Sequence, residues 1–459
     1  MIHKIPAQTR FFAIPAGGSG KTFTLTIRCC TDFLSLQLIP VSPENAAYIA
    51  EYTLPFAPEE TVLEADERVF EHLTWLDSLL PGREADSIKD QHPRFHFSPR
   101  CGWLNDPNGM YFKDGVWHLF FQHNPLGAYW RNMHWGHAVS HDLLHWEEKP
   151  IALYPDSTGT MYSGSAVIDH SGSAGFGKDA VLLYYTSCSY TVPSTATQNL
   201  AVLKEDKWVK YENNPVVPCL FNQEERDPNI AFDPDCGLWR MVIYLGDEET
   251  KEFMLLASRD LLQWQETDRY KIADDRECPG IRRMKDLVTG EYLWIFTAAN
   301  GCYRIGRINE SGKITFLSEA DRFLYGDAYA GQFFYNAPDN RNIFMAWVRM
   351  PDSMFHSWSG CMTLPLEITL SDGKLEVSPA VDVPAVHVSW QEKTILHGSA
   401  RELIIDPDED MIRDGDRTVK INAGHQWSGY LLKDRALIEY FDEKKRFFAA
   451  FYFPDADLL

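Results

Sequence analysis

The chain has 459 residues, of which 45% are apolar and 13% aromatic, so it can bury a large core and form more than one domain. Its 43 basic and 65 acidic residues leave a formal net charge of −22, which repels phosphate backbones and anionic membrane surfaces. This balance argues against a nucleic-acid or membrane partner and favours a small neutral substrate. It gives no indication of oligomeric state.

The first ten residues lack the apolar core of a secretory signal, and no apolar run of about 18 residues occurs in the sequence. The nine cysteines are an odd number without a Cys-x-x-Cys pair, which is typical of reduced thiols rather than of a disulfide framework or a zinc site. We therefore expect a cytoplasmic protein, unless a leader has been removed from this sequence.

Residues 1–92 predict a small β-rich module. Strands are predicted at 23–27 and 34–41, and one helix is predicted from about Asp66 to Leu80. The segment Gly17-Gly18-Ser19-Gly20-Lys21-Thr22 is similar to a phosphate-binding loop, but Pro15 replaces the first glycine of that pattern and a strand follows instead of a helix. We interpret the segment as a glycine-rich turn between two strands.

A repeat organises the middle of the chain. Ser140-His141-Asp142-Leu143-Leu144-His145-Trp146 returns as Ser258-Arg259-Asp260-Leu261-Leu262-Gln263-Trp264. Upstream of the two copies stand matching triplets, Asp106-Pro107-Asn108 and Asp227-Pro228-Asn229. Self-similarity of this kind indicates a repeated supersecondary unit, which we interpret as an antiparallel sheet.

Five such sheets are predicted between residues 93 and 380, from aromatic-rich strands at 116–122, 181–186, 238–245, 292–298 and 342–348. No helical periodicity separates them, so the sequence predicts an all-β fold whose central domain, residues 93–380, is a five-bladed β-propeller. Residues 381–459 predict a short sandwich-like β segment. One hypothesis is that it packs with residues 1–92 as a single accessory domain.

The innermost strands of propeller blades surround one axis, so residues at their starts face a common pocket. Four of the five residues at these positions are acids, and a cluster of acids is typical of acid–base chemistry or of a metal site. The five are Asp106, Ser163, Asp227, Glu277 and Asp327.

Several motifs in this region follow one another in the order of a known family. The longest is Gly102-Trp103-Leu104-Asn105-Asp106-Pro107-Asn108-Gly109, preceded by His96-Phe97-Ser98-Pro99. Its companions are Phe121-Gln122-His123-Asn124-Pro125, Trp135-Gly136-His137, Tyr162-Ser163-Gly164-Ser165, Arg226-Asp227-Pro228, Glu277-Cys278-Pro279 and Asp327-Ala328-Tyr329-Ala330. Together they resemble glycoside hydrolase family 32, which comprises invertases, sucrose-6-phosphate hydrolases and fructanases.

The resemblance implies a five-bladed propeller and a retaining mechanism that needs no metal or cofactor. Asp106 would be the nucleophile, Glu277 the acid–base residue, and Asp227 the residue that stabilises the transition state beside Arg226. Because Asp106 and Asp227 are acidic neighbours, we expect them to raise the pKa of Glu277, as an acid catalyst requires.

The resemblance also implies a set of sugar-binding side chains. Tyr162 stands where the family commonly has Phe. From residue type alone, Trp130 and Trp347 are as often core residues as ligand contacts, and the resemblance favours ligand contact. The implied set is Asn105, Gln122, Trp130, Tyr162, Ser163, Arg226, Asp327 and Trp347.

The leading functional prediction is hydrolysis of a terminal β-fructosyl bond in sucrose or a short fructan. Sucrose-6-phosphate hydrolysis is an alternative in which Arg282, Arg283 or Lys285 would hold the phosphate, unless these basic residues form a solvated face. Fructosyl transfer and a non-catalytic sugar-binding propeller remain open. His141 and His145 have the i,i+4 spacing of metal ligands, but the repeat replaces them by Arg259 and Gln263, so no metal is expected.

Overall fold

The computed structural model describes residues 1–452 except 7–8, 17–19, 30–31, 40–41, 47, 58–59, 78–91, 222, 352–356, 391–392, 398–401, 415–416 and 421–426. The described part is built almost entirely of strands, with one short α-helix, Glu67–Phe70, and 3-10 turns at Pro43–Asn45 and Pro338–Asn340. Within that part, no helix is long and apolar enough to cross a membrane.

Five antiparallel sheets form the centre of the chain, and we number these blades I to V in chain order. Blade I consists of Gly102–Lys113, Val116–Asn124, His134–Ser140 and Trp146–Leu153. Blade II consists of Thr160–Asp169, Ala180–Cys188, Ala196–Lys204 and Lys207–Lys210. Blade III consists of Arg226–Asp233, Leu238–Tyr244, Phe253–Ser258 and Gln265–Tyr270.

The last two blades each carry an additional short strand. Blade IV consists of Gly280–Lys285, Tyr292–Thr297, Cys302–Ile308 and Ile314–Phe316, with Asp321–Arg322 paired to its third strand. Blade V consists of Ala328–Phe333, Ile343–Val348, Leu366–Ser371 and Lys374–Pro379, with Cys361–Met362 paired to its second strand.

The five blades close into a ring. The first strand of each blade contacts the first strand of the next, and that of blade V returns to that of blade I. A bridge between Tyr111 and Tyr335 and the parallel pairing of Trp358–Ser359 with Gly102 and Trp103 join the ends of the ring. The predicted five-bladed β-propeller is therefore confirmed.

The sequence repeat corresponds to one turn built twice. In blade I the Ser140 hydroxyl accepts the Leu143 N–H at 2.9 Å, and the Trp146 indole donates to the Leu143 carbonyl at 3.0 Å. In blade III the equivalent contacts are made by Leu261: its N–H donates to the Ser258 hydroxyl at 2.9 Å, and its carbonyl accepts the Trp264 indole N–H at 3.1 Å. Both leucines have positive φ, 69° and 65°, a conformation that costs energy and is held here by the surrounding hydrogen bonds.

The asparagines of the repeated triplets join neighbouring blades. Asn108 Oδ1 accepts the Gly164 N–H of blade II at 3.1 Å, and Asn229 Oδ1 accepts the Ile281 N–H of blade IV at the same distance. Each triplet thus fixes the position of the inner strand of the following blade, so the repeat carries structural as well as chemical information.

Residues before the propeller form two small sheets that share one core. In spatial order the first contains Ile2–Lys4, Val62–Ala65, Phe23–Arg28 and Phe33–Leu38, and the second contains Tyr48–Thr53, Phe11–Ala16 and Thr74–Leu76. The buried side chains between them include Phe12, Leu25, Ile27, Leu36 and Tyr52. We call residues 1–77 the N-terminal module.

The predicted helix from Asp66 to Leu80 is wrong over most of its length. Asp66 caps a single turn, Glu67–Phe70, and Thr74–Leu76 is a strand that pairs with Phe11–Ala16. Residues 78–80 lie outside the described part. The glycine-rich segment does follow one strand and precede another, although Gly17, Gly18 and Ser19 also lie outside it.

The C-terminal region has its own two sheets and its own core. In spatial order one contains Leu324–Gly326, Phe448–Tyr452, Leu437–Asp442, Trp427–Asp434 and Val386–Trp390. The other contains Thr394–His397, Glu402–Asp406, Met411–Asp414 and Arg417–Lys420. The strand Leu324–Gly326 precedes blade V in sequence, so the propeller segment supplies one edge of this sandwich.

The two flanking regions do not form a single accessory domain, and that hypothesis is wrong. Each buries a separate core among the described residues, and no described sheet contains strands of both. The C-terminal region is instead tied to residues 94–96, whose three backbone N–H groups reach the Asp434 carboxylate. His96 Nδ1 lies 2.8 Å from the same carboxylate and its Nε2 lies 3.2 Å from Glu439 Oε1.

Candidate active site

The three carboxylates predicted from the sequence meet at the axial end of the propeller. Asp106 and Asp227 lie on the inner strands of blades I and III, and Glu277 lies just before the inner strand of blade IV. The strand register shifts at both Asp-Pro-Asn triplets, between Leu104 and Pro107 and between Arg226 and Asn229. Such bulges re-aim side chains, which explains why both aspartates turn toward the axis.

Bulges occur at the corresponding place in two further blades. The register shifts between Tyr162 and Gly164 in blade II and between Tyr329 and Gln332 in blade V. Backbone strain is also concentrated here, because Asp227, Glu277 and Cys278 have positive φ of 66°, 56° and 42°. Strain of this kind persists only where the surrounding structure enforces it, and it is often found at functional sites.

Asp106 is buried and belongs to a short hydrogen-bond chain. The Ser163 hydroxyl donates to Asp106 Oδ2 at 2.7 Å, and Gln122 Nε2 donates to the Ser163 oxygen at 2.5 Å. The Cys278 thiol also points at Asp106 Oδ2, 3.4 Å away. These donors fix the rotamer of Asp106.

Asp227 shares the same thiol. Its Oδ2 accepts the Cys278 N–H at 2.9 Å and lies 3.6 Å from the Cys278 sulfur. Its own N–H donates to the Thr186 hydroxyl at 2.9 Å, and Arg226 Nε is 3.9 Å from its carboxylate. Cys278 therefore contacts both buried aspartates at once.

Both oxygens of Glu277 already have partners. Arg226 Nη2 donates to Oε1 at 2.9 Å, and the Tyr329 hydroxyl donates to Oε2 at 2.6 Å. Arg226 thereby connects Glu277 with Asp227, and it also stacks on the Tyr244 ring, 4.9 Å from the ring centre.

These surroundings shift the pKa values in opposite directions. Burial and the Asp227 charge raise the pKa of Asp106 to about 7. Burial raises the pKa of Asp227 to about 6, although Arg226 opposes this. Burial also acts to raise the pKa of Glu277, but Arg226 and Tyr329 outweigh it and hold that pKa below its ordinary value.

The expectation that Asp106 and Asp227 raise the pKa of Glu277 is therefore wrong for the free site. Adjacency in the sequence indicates only that Arg226 lies beside Asp227. It does not reveal that the Arg226 guanidinium makes its shorter contact with Glu277. Burial favours the neutral carboxyl of Glu277, but the Arg226 charge with its hydrogen bond at 2.9 Å and the Tyr329 hydroxyl favour the ionised form more strongly.

Most of the implied sugar-binding side chains lie around this cluster. Asn105 is buried, and neither its Oδ1 nor the indole N–H of Trp347 has a hydrogen-bond partner among the described residues. Trp347 packs edge-on against Tyr329, with ring centres 6.3 Å apart. Trp130 is 42% exposed and stands edge-on to Tyr162 at 6.4 Å, at the rim of the site.

Asp327 occupies a different place from the other acids. Its Oδ2 accepts the Tyr452 N–H at 3.0 Å, and its backbone bonds to Ala450 and Arg349. These contacts join it to the C-terminal sandwich, so they do not support its predicted contact with the sugar.

Cys278 and Tyr329 belong to the site although no role was predicted for them. Both stand inside motifs that the sequence displays, Glu277-Cys278-Pro279 and Asp327-Ala328-Tyr329-Ala330. A buried thiol or phenol is more often a packing residue, and only the three-dimensional contacts distinguish these two from that ordinary case.

Two of the three basic residues after Glu277, Arg282 and Arg283, are engaged with protein partners. Arg282 donates to Asn342 Oδ1 at 3.0 Å, and Arg283 forms two 2.8 Å bonds to the Asp235 carboxylate. Across the described ranges, no group of three or more His, Cys, Asp or Glu side chains could hold a metal ion.

Comparison with known proteins places this geometry in a family. The sequence model described as "Glycosyl hydrolases family 32 N-terminal domain" matches residues 96–379. The chain belongs to glycosyl hydrolases family 32, as the motifs predicted.

Among curated relatives, the levanase of Bacillus subtilis (strain 168) is 33% identical over 318 residues, which is 61% of this chain and 45% of the levanase. The invertase of Schizosaccharomyces pombe is 31% identical over 321 residues, or 61% of this chain and 53% of the invertase. This chain therefore spans about half the length of these relatives.

Solved structures share the fold over most of the chain. The fructofuranosidase of Schwanniomyces occidentalis complexed with fructose has a TM-score of 0.66 at 21% identity, covering 79% of this chain and 91% of its own. The sucrose-6-phosphate hydrolase of Lactobacillus gasseri has a TM-score of 0.65 at 24% identity, covering 80% and 89%.

Proposed function

We propose that this chain is a retaining glycoside hydrolase that removes a terminal β-fructofuranosyl unit from sucrose or a short fructan. The observation that carries the proposal is the convergence of Asp106, Asp227 and Glu277 around Cys278 at the propeller axis. Membership of family 32 and the names of its relatives, among them levanase and invertase, support a β-fructoside as the substrate.

In this mechanism an Asp106 oxygen bonds to the anomeric carbon while the glycosidic oxygen leaves with a proton from Glu277. Water then attacks the fructosyl ester, gives its proton to Glu277, and releases Asp106. Asp227 and Arg226 hold sugar hydroxyls, and a second sugar in place of water would make the same enzyme a transferase.

The phosphorylated substrate is not part of this proposal. Arg282 donates to Asn342 and Arg283 donates to Asp235, and among the described contacts neither arginine bonds to Asp106, Asp227 or Glu277. The buried, unpaired Asn105 Oδ1 and Trp347 N–H fit neutral sugar hydroxyls, which can both donate and accept.

Two substitutions test the proposal. Asp106→Asn and Glu277→Gln each preserve shape and are expected to lower kcat for sucrose by a factor on the order of 10² to 10⁴, because each removes an essential proton or electron-pair donor. Asp235→Asn, which alters an exposed carboxylate paired with Arg283, is the matched control and should retain full activity.

In a substrate panel, sucrose and the inulin-type and levan-type oligosaccharides should give free fructose, with the β-anomer formed first in an early NMR spectrum, whereas sucrose 6-phosphate should be hydrolysed more slowly than sucrose. Oligosaccharide products without free fructose would identify a transferase. Saturable binding of sucrose without any turnover would identify a sugar-binding propeller and contradict the proposal, as would initial release of the α-anomer.

A further inference from the structure

The N-terminal module contacts the propeller through the edge strand Phe33–Leu38. Phe33–Leu38 is the last strand of its sheet, so the backbone groups on its outer side have no strand partner. The Asn132 side chain fills that place: its Oδ1 accepts the Gln37 N–H at 2.6 Å and its Nδ2 donates to the Gln37 carbonyl at 2.8 Å. One amide side chain thus imitates a paired strand.

A second contact lies two residues further along the propeller chain. The Tyr52 hydroxyl of the module is 2.8 Å from His134 Nε2, and His134 Nδ1 is 2.5 Å from the Asn132 carbonyl. Tyr52 and His134 are fully buried, so the pair is shielded from water. Asn132 is therefore held through its side chain and through its backbone.

The segment held in this way is the loop 125–132. Asn124 Nδ2 donates to the Tyr129 carbonyl at 2.9 Å, and Asn124 Oδ1 accepts both the Leu126 N–H and Asn132 Nδ2, each at 3.1 Å. Asn132 and Asn124 thereby tie the two ends of the loop to each other. Trp130 projects from it, 42% exposed and edge-on to Tyr162.

We propose that the N-terminal module is a working part of the substrate site, because Asn132 transmits its position to Trp130. This inference rests on the proposed function and deepens it. Tyr162 adjoins Ser163, which bonds Asp106, so Trp130 stands at the rim of the pocket that holds the nucleophile. Its exposed ring offers a stacking surface to a sugar unit beside the scissile bond. Asn132 is a positioning residue in this account, since it touches Trp130's loop and not the substrate.

Asn132→Gly is the main test variant. Asn132 has φ of 50°, which glycine adopts without strain, so the substitution leaves the backbone conformation accessible while it removes the two Gln37 bonds and the bond to Asn124. We expect KM for a fructo-oligosaccharide to rise about tenfold with kcat within about twofold, because binding and not chemistry is impaired. Tyr52→Phe, which removes only the hydroxyl contact, should change KM in the same direction by a smaller factor.

Gln37→Ala is the matched control. The Gln37 side chain bonds only to Thr24 among its described contacts, and the grip on Asn132 uses the Gln37 backbone, so activity should be unchanged. A double-mutant cycle with Trp130→Ala completes the test: the Asn132→Gly effect on KM should disappear when Trp130 is absent. Additive effects, or a loss of kcat with constant KM, would overturn the proposal.

Hydrogen exchange of the full chain without substrate gives a readout that does not depend on catalysis. Asn132→Gly should accelerate exchange in peptides covering 125–131, whereas Gln37→Ala should not. We call the contacts by which Asn132 holds the loop 125–132 against the N-terminal module the clamp. Unchanged hydrogen exchange in that loop refutes the clamp even if the enzyme is active. A wild-type chain that hydrolyses no fructoside refutes the proposed function instead, and the exchange result still decides whether the clamp exists.

Discussion

Cys278 illustrates how much one residue organises at this site. Its N–H and thiol both reach Asp227, and the thiol also reaches Asp106, while the preceding residue is Glu277. Positive φ at two consecutive residues turns the chain sharply enough to present all of these groups to one point. The three acids are therefore coupled, and they titrate as a set.

The pKa directions lead to a prediction for the pH profile. With Asp106 near 7 and Glu277 below its ordinary value, the productive form, ionised Asp106 with protonated Glu277, is a minor species. The profile of kcat/KM should then fall above about pH 7, where Asp106 has lost its proton and Glu277 is rarely protonated.

Tyr329→Phe distinguishes this arrangement, in which Asp106 has the higher pKa, from one in which Glu277 has the higher pKa. The Tyr329 hydroxyl stabilises the ionised form of Glu277, so its removal should raise the Glu277 pKa and move the acidic limb of kcat/KM to higher pH. The basic limb should stay in place. If the basic limb moves instead, Glu277 is the group with the higher pKa and the assignment is wrong.

At the level of strands, the register shifts explain what the repeated triplets do. The repeat in the sequence predicts that Asp106 and Asp227 occupy equivalent positions in their blades, and the bulges at both triplets agree with that prediction. Asn108 and Asn229 then add a function that spacing alone could not reveal, since their partners lie on other blades.

Asn229→Ala should test that function. It leaves the buried Ile281 N–H without a partner at the start of the strand that follows Glu277, so the free energy of unfolding should fall by about 1–3 kcal/mol. Urea denaturation measures this, and kcat should fall as well because Glu277 is displaced. Asn213→Ala, which removes an exposed bond to Tyr211, should change neither quantity.

Local patterns predicted the strands and the carboxylates better than the residues whose partners are distant. The helix expected from Asp66 gave way to a strand because Phe11–Ala16 offers an open edge to Thr74–Leu76, and such tertiary pairing overrides local propensity. Asp327 stood at the right position in its blade, yet its partner Tyr452 lies 125 residues away, and no sequence spacing signals that contact.

At the scale of the whole molecule, the buried group formed by His96, Asp434 and Glu439 locks the C-terminal sandwich to the propeller. Burial alone would lower the pKa of His96, but Glu439 and Asp434 outweigh it and raise that pKa to about 9. The protonated imidazole is thus the form that the folded chain prefers, and the hydrogen bond to His96 and the backbone N–H donors hold the pKa of Asp434 below its ordinary value.

This group predicts how stability depends on pH. Since the folded pKa of His96 exceeds its unfolded value, the stabilisation is complete below about pH 6.5 and is lost as the pH rises through about 9. The loss should amount to about 3 kcal/mol in the free energy of unfolding. His96→Gln should abolish this pH dependence, whereas His145→Gln, at an exposed histidine, should preserve it. An unchanged slope in His96→Gln would contradict the assignment.

The edge strand Leu324–Gly326 has a consequence for how the chain folds. It completes its parallel pairing only with Phe448–Tyr452, which leaves the ribosome long after blades I to IV. The hydrogen bond from the Arg94 N–H to Asp434 spans an even larger sequence separation, 340 residues. Loop closure of this length is slow, and the edge of Leu324–Gly326 stays unpaired until residues 448–452 have been synthesised. We therefore expect completion of the C-terminal sandwich to be the slow step in recovery from denaturant, because it joins residues that lie far apart in the sequence.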